Sequence, residues 1–319
     1  MELRNLGSSD IKISPIIMGT WQAGRDMWAD IDDAETTRAI QAAVDAGVNT
    51  IDTAAVYGKG HSERVVGKAV GERRPQVVIA TKVFANELQY DQVIAACERS
   101  LANLQTDYID LYQIHWPSGS FGSPVVPIEE TMRALNALNE QGKIRAIGVS
   151  NFSHIQLEEA MAFGDIVSLQ PPYSLLWRHV EADAMPVCAA KGLSILAYSP
   201  MAQGILTGKF GPDHQFKRGD HRRANRLFQE PVFPRVQDAL AALQPIADRH
   251  TITLGQLALA WVIAQPGACA IAGARNAAQA LENAQAGTVS LTPEDLAEMD
   301  RISRQVTQQL DDNPVLWKW

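Results

Sequence analysis

Along most of this chain, short apolar runs alternate with stretches of helical period. The runs predict strands at 16–18, 48–53, 77–83, 108–115, 146–150, 166–170, 193–199 and 269–273. Such runs, bounded by Gly, Pro and polar residues, suit strands covered on both faces. Between them the 3.6-residue period predicts helices at 33–46, 61–70, 90–104, 129–141, 153–163, 179–191, 236–250, 253–264 and 276–286. A last helix opens near Thr292-Pro293-Glu294, with Thr292 as its cap and Pro293 in its first turn. Asp32 reads as the cap of the first helix and Gly47 as its stop, and Gly142, Gly164 and Gly192 read as further stops. Residues 3–14 alternate around Gly7-Ser8-Ser9-Asp10, which predicts a small hairpin.

Eight strands with intervening helices, evenly spread, point to a single-domain (β/α)8 TIM barrel over residues 1–319, with an N-terminal hairpin and extra helices. A doubly wound open sheet is the alternative. The longest irregular stretches are 116–128, 200–235 and the tail after Val306. In a barrel, the first two follow strands four and seven, where loops build active sites.

Composition narrows the partners. The chain has 319 residues, a net charge of −8 and a pI near 5.4, which argues against a broad nucleic-acid footprint. Cys97, Cys188 and Cys269 are isolated in apolar patterns, with neither metal spacing nor a disulfide framework, and no metal is expected. The start of the chain does not read as a signal peptide, and the apolar stretch 252–274 is broken by Gln265-Pro266-Gly267. The expectation is a soluble cytoplasmic protein, off the membrane, and a monomer or weak homo-oligomer.

Four polar residues stand at or just past strand ends. Asp52 ends strand two, with Tyr57 in the following loop. Lys82 ends strand three and His115 strand four. Singly, each has an ordinary reading: a helix cap, rim packing, a solvated cation, a hydrogen-bonded core histidine. Together, on one barrel face, ionisable groups converge where isolated charges are costly, which suggests a working site. A tyrosine near 10 is a weak acid at neutral pH. A nearby ammonium should lower that pKa, a carboxylate should hold the ammonium, and an imidazole could orient a substrate oxygen. The set suits proton donation to a carbonyl oxygen. No G-x-S-x-G elbow supports acyl transfer. The natural partner reaction at carbon is hydride transfer from a nicotinamide. The G-x-G-x-x-G signature is absent, and 204–210 fails the P-loop pattern, so any dinucleotide needs another device.

The sequence resembles the aldo-keto reductases, bacterial and potassium-channel-β-like branches included. The motifs run in family order: Gly19-Thr20-Trp21; Asp52-Thr53-Ala54 with Tyr57-Gly58 and Ser62-Glu63; Thr81-Lys82; 107–111 with His115; 142–152; 170–174; 197–200; and Gly273-Ala274-Arg275 with Gln279 and Glu282-Asn283. The resemblance implies a barrel that binds NADP(H), with NAD(H) less favoured, across the C-terminal strand ends. It implies Asp52, Tyr57, Lys82 and His115 as the catalytic tetrad. Ser150, Asn151 and Gln170 match residues bonding the carboxamide, and Tyr198 matches the aromatic stacking on the nicotinamide. Gly19, Thr20, Trp21 and Asp52 join this cofactor set. Ser199, Pro200, Met201, Gln203 and Gly204 match the pyrophosphate loop, while Gly273, Ala274, Arg275, Gln279, Glu282 and Asn283 match the adenosine end.

Arg275 beside a helix start near Asn276 makes an anion site that favours the 2′-phosphate. Lys209 and Arg218 are candidates for further phosphate contacts. Many members carry Lys-Ser where this chain has Gly273-Ala274. For the substrate, Trp21, Tyr57, Phe84, His115 and Trp116 are expected at the mouth, with Trp28, Phe121 and Trp177 nearby; aromatic walls suit apolar carbonyls. The tail 314–319 is apolar, and could fold over the mouth or dock to another subunit. The leading function is NADP(H)-dependent reduction of aldehydes and ketones, with Tyr57 as proton donor. The alternative is a redox-sensing regulatory subunit that binds NADP(H) and turns over weakly. A third reading, Schiff-base chemistry at Lys82, is opposed by its carboxylate partner.

Overall fold

The computed structural model describes residues 1–26, 28 and 30–310; the apolar tail at 314–319 lies outside them. In chain order the strands are β1 (Arg4–Asn5), β2 (Lys12–Ile13), β3 (Ile16–Gly19), β4 (Thr50–Asp52), β5 (Val78–Val83), β6 (Ile109–Ile114), β7 (Ile144–Ser150), β8 (Ile166–Gln170), β9 (Ser194–Ala197) and β10 (Ala268–Gly273). The helices are α1 (Asp33–Asp45), α2 (His61–Val70), α3 (Tyr90–Leu104), α4 (Ile128–Glu140), α5 (His154–Met161), α6 (Met185–Lys191), α7 (Val232–His250), α8 (Leu254–Ile263), α9 (Ala277–Gln285) and α10 (Pro293–Thr307).

Strands β3 to β10 close into one parallel barrel, with β10 against β3. The architecture is a (β/α)8 TIM barrel, and the open-sheet alternative falls. Each βα repeat must bury a strand on both faces, and closure removes the edges that an open sheet would expose. The barrel lumen and the outer layer form separate apolar clusters. The lumen cluster holds Ile17, Val78, Ala80, Leu111, Ala146, Val167, Leu196, Cys269 and Ile271. Leu6, Ile11 and Ile13 of the β1–β2 hairpin belong to it too, so the hairpin plugs the end of the lumen away from the mouth. Strand ends at the other face are left for function.

Caps behave as their chemistry requires. Asp32 Oδ1 accepts from Glu35 N at 2.8 Å, and Ser153, Thr253 and Thr292 open α5, α8 and α10 with reciprocal capping boxes. Three expectations need correction. The helix read at 179–191 is a short turn, His179–Glu181, followed by α6, which takes Pro186 in its first turn, where the missing N–H costs no helical hydrogen bond. Helix α7 starts at Val232, four residues before the apolar period suggests. Gly142 and Gly192 end helices in the left-handed region, but Gly164 does not. There a Cβ would lie 2.7 Å from Asn136 Oδ1, so close packing explains that glycine. No helix among the described residues is long and apolar enough to cross a membrane.

Candidate active site

The four ionisable residues meet at the mouth. Lys82 is fully buried on β5, and its Nζ donates to Asp52 Oδ1 at 2.7 Å and to the Thr53 carbonyl at 2.8 Å. The Tyr57 ring centroid lies 5.2 Å from that Nζ and 5.8 Å from the His115 ring. Asp52 is held in turn: its Oδ2 accepts from Gln170 Nε2 at 2.8 Å, and its carbonyl accepts from Thr20 N at 3.0 Å and Thr20 Oγ1 at 2.9 Å. Ser62 ties these loops together, bonding Thr20 at 2.8 and 2.9 Å and Thr53 at 2.9 Å. The Tyr57 loop is pinned where Gly24 and Gly58 touch backbone to backbone. A Cβ on Gly24 would sit 2.7 Å from the Tyr57 carbonyl carbon.

The electrostatics differ from the expectation for Tyr57. Burial, then the Asp52 carboxylate, then Tyr198, push its phenol well above the ordinary value. Lys82 does not win that contest, because its charge is committed to Asp52. Burial lowers the Lys82 ammonium pKa, and Asp52 opposes the fall. Burial, with Lys82 second, drives His115 well below its usual pKa, so the imidazole is neutral at pH 7. His115 Nδ1 is buried with no hydrogen-bond partner among the described residues.

Beside this quartet, Ser150 ends β7 and Gln170 ends β8. Asn151, in the left-handed region at φ 62°, donates through Nδ2 to the His115 carbonyl and to Ser150 Oγ, both at 3.0 Å. Its Oδ1 accepts from Tyr198 OH at 2.8 Å. Ser199, Ala202, Gln203 and Gly204 all have positive φ, coiling the segment after β9 into a tight loop that includes Pro200 and Met201. Gln203 Oε1 accepts from Asn225 Nδ2 at 2.9 Å, and its Nε2 is buried with no partner among the described residues.

At the far end of the mouth, Gly273 ends β10 in register with Gly19. Asn283 Nδ2 donates to the Gly273 carbonyl at 3.2 Å, and Gln279 Oε1 accepts from Arg275 N at 2.9 Å. Both side chains therefore brace the loop Gly273-Ala274-Arg275. Glu282 is exposed and its Oε1 accepts from Thr253 Oγ1 at 2.8 Å, so in this structure its carboxylate serves the α8 cap. The glycine at 273 has a steric reason: a Cβ there would lie 2.2 Å from the Gln22 amide nitrogen.

The reading of the sequence missed Arg222. Arg218, the residue it named, is exposed, whereas Arg222 is buried. Arg222 pairs with Asp220 through two bonds, at 2.9 and 2.5 Å, and lies 5.1 Å from the Trp28 ring and 4.8 Å from Phe216. Its field helps lower the pKa values of Lys209 and Arg275, after burial in both cases. Three cations thus share one end of the groove. Asp220, two residues ahead, was the available signal, since it caps the turn that turns Arg222 inward.

The aromatics form a continuous wall: Trp21 at 6.4 Å from Tyr57, Phe84 at 5.6 Å from His115, and Phe121 at 5.7 Å from Phe84 and 5.0 Å from Trp116. Trp28 packs on Trp21 and His221, extending the wall toward Arg222. Trp177 is buried against Tyr198 and is core, not rim. The three cysteines are buried, their thiols pushed up by burial to about 12 for Cys97 and Cys188 and about 11 for Cys269.

The family model for the aldo/keto reductase family matches residues 15–304. The chain belongs to this family. An aldo-keto reductase of Bacillus subtilis is 38% identical over 314 residues, covering 95% of this chain and 93% of that one. An Escherichia coli protein named an NADH-specific methylglyoxal reductase is 34% identical, covering 93% and 97%. A probable voltage-gated potassium channel subunit beta of Arabidopsis thaliana is 33% identical, covering 95% and 96%. Among solved structures, the glycerol dehydrogenase of Gluconobacter oxydans superposes with a TM-score of 0.88 at 34% identity, covering 97% of each chain. A Klebsiella pneumoniae aldo-keto reductase in complex with NADPH gives 0.78 at 30%, covering 100% of each. This aldo/keto reductase is therefore an oxidoreductase on the evidence of its family.

Proposed function

We propose that this aldo/keto reductase reduces small aldehydes and ketones with NADPH, with Tyr57 as the proton donor. The observation that carries the reading is the buried Lys82–Asp52 pair, 2.7 Å long, set beneath a phenol and a neutral imidazole at an aromatic mouth. The donor set fits a dinucleotide. Ser150, Asn151 and Gln170 offer amide and hydroxyl groups for a carboxamide. Gly204, at φ 93°, leaves the 199–204 loop backbone open to a pyrophosphate, with the unpartnered Gln203 Nε2 beside it. Lys209, Arg222 and Arg275 supply charge for a further phosphate. When bound, the cofactor supplies the hydride that reduces the carbonyl carbon.

The protein's own groups handle the proton. A phenol with a raised pKa stays protonated at neutral pH, so the donor is fully loaded before reaction. It can still give its proton to an oxygen that develops alkoxide character, a much stronger base. His115, held neutral, orients the substrate oxygen without competing as an acid. Asp52 keeps Lys82 charged and fixed beneath the ring, where its field favours loss of the phenolic proton. The aromatic wall excludes water and selects apolar substrates.

The test is cofactor consumption against a panel of aldehydes, ketones and sugars, with NADPH and then NADH, for wild type and Tyr57→Phe. Turnover of at least one carbonyl class, lost by about 100-fold or more in Tyr57→Phe with cofactor binding kept, is expected. Near-normal turnover by the variant refutes Tyr57 as donor. Similarity to a protein named as a probable channel subunit supports the second reading, a regulatory nucleotide sensor. Tight NADPH binding with negligible turnover of every carbonyl would favour it.

A further inference from the structure

Above the apolar cluster of the barrel lumen, the one layer directly beneath the site is polar, where barrel interiors are usually filled by branched apolar side chains. Lys82, Gln113, Gly148 and Ser168 lie in one register across β5, β6, β7 and β8, so all four face the same way. Gly148 makes the room: a Cβ there would lie 2.5 Å from Ser168 Oγ and 3.0 Å from Gln113 Cγ. Gln113 is wholly buried, and its Nε2 has no hydrogen-bond partner among the described residues. A buried amide N–H left unpaired destabilises the fold. Stability therefore does not account for this glutamine.

Its oxygen is what the site uses. Gln170 Nε2 donates to Asp52 Oδ2 at 2.8 Å and to Gln113 Oε1 at 3.3 Å. Both N–H groups of Gln170 are thereby spent on acceptors beneath it. Asp52 alone would set which end of the amide points down. The second acceptor also sets the plane of the amide, and with it the lone-pair directions of Gln170 Oε1. Asn151 is arranged alike: both N–H bonds go to His115 O and Ser150 Oγ, and Oδ1, which takes one bond from Tyr198 OH, keeps a second lone pair. The mouth thus presents two oriented amide oxygens.

We propose that Gln113 is a positioning residue that, through Gln170, makes this site a reader of the amino group of a primary carboxamide. The inference rests on the dinucleotide reading above, and concerns how the nicotinamide amide is recognised. A ring carrying an acetyl group in place of the carboxamide offers no N–H to the two oxygens and is discriminated against.

The experiment titrates intrinsic fluorescence with NADP+ and with its 3-acetylpyridine analogue, for wild type, Gln113→Met and Gln113→Glu, with thermal melting alongside. Wild type should bind NADP+ about tenfold more tightly than the analogue, the worth of one well-made hydrogen bond. Gln113→Met matches the side-chain length but lacks the oxygen, so the ratio should fall to about threefold or less. Its melting temperature should hold or rise, because the unpaired N–H is gone. Gln113→Glu keeps an acceptor for Gln170 and should keep most of the discrimination. A wild-type ratio retained in Gln113→Met overturns the role of Gln113 and leaves the dinucleotide reading standing. Wild type that prefers neither compound overturns the inference, and wild type that binds neither removes the reading beneath it as well.

Discussion

Lys82 Nζ lies 2.7 Å from Asp52 Oδ1, and the two side chains are 0% and 5% exposed. Two opposite charges have been taken out of water together, and neither is comfortable alone. Lys82→Met should therefore cost about 3–5 kcal/mol by leaving a buried carboxylate uncompensated. The double variant Lys82→Met with Asp52→Asn should cost less than the sum of the singles, by about 1–3 kcal/mol. Urea unfolding of the four proteins measures this, and strict additivity would show that the pair is not coupled.

His115 should be silent in a pH titration of the free protein. Its pKa is driven down by burial first and Lys82 second. The imidazole should hold one protonation state from about pH 6 to pH 8, where an ordinary histidine near 6.5 changes charge. Removing the Lys82 charge should raise the midpoint only in part, because burial remains. Histidine carbon-bound proton shifts, assigned with a His115→Gln variant, report it directly. A midpoint near 6.5 in wild type contradicts the geometry.

The three cations at the end of the groove should set phosphate preference. Arg275→Ala and Arg222→Ala should each weaken NADPH binding by about ten- to a hundredfold, the range for a charged hydrogen bond, and change NADH binding much less. The NADPH effect should shrink as salt rises. Equal losses for both cofactors would place these residues on a part of the dinucleotide common to both.

Asp295 joins α7 to α10. Its carboxylate accepts from Arg249 at 2.7 Å, His250 at 2.8 Å and Thr292 Oγ1 at 2.9 Å, and these partners hold its pKa well below the ordinary range. The folded-state pKa is depressed, so the stabilisation is present above the unfolded value near 3.9 and fades as pH falls through the lower folded value. Asp295→Asn should cost about 1–2 kcal/mol at neutral pH, mostly through loss of the carboxylate's charge-assisted bond to Arg249. Wild type and variant should converge toward pH 2 in thermal melts, and a gap that stays constant with pH would rule the linkage out.

Much of the barrel was legible because each βα unit obeys local rules. Eight apolar runs became eight barrel strands, and the caps at Asp32 and Thr292 stood where short polar side chains meet helical period. Asp52, Lys82 and His115 were visible as polar side chains at or beside the ends of apolar strands, and Tyr57 as a polar side chain in the loop after one of them. Arg222 was not, since 200–235 carries no period and any of its several cations could have turned inward. Gln113 was hidden differently. It sits inside an apolar run, and nothing in one strand says that Gly148 on the next has cleared space for an amide.

What the sequence determined by itself was the fold class and the set of groups at the strand ends, because strand alternation and helix capping depend on neighbours a few residues away. The tertiary structure alone decided the energetics of those groups. Whether Tyr57 is made more acidic or less depends on how fully Asp52 claims Lys82 and how deep the ring is set, and both are distances between segments far apart in the chain. Charge and desolvation act through space, so they become readable only when the barrel closes.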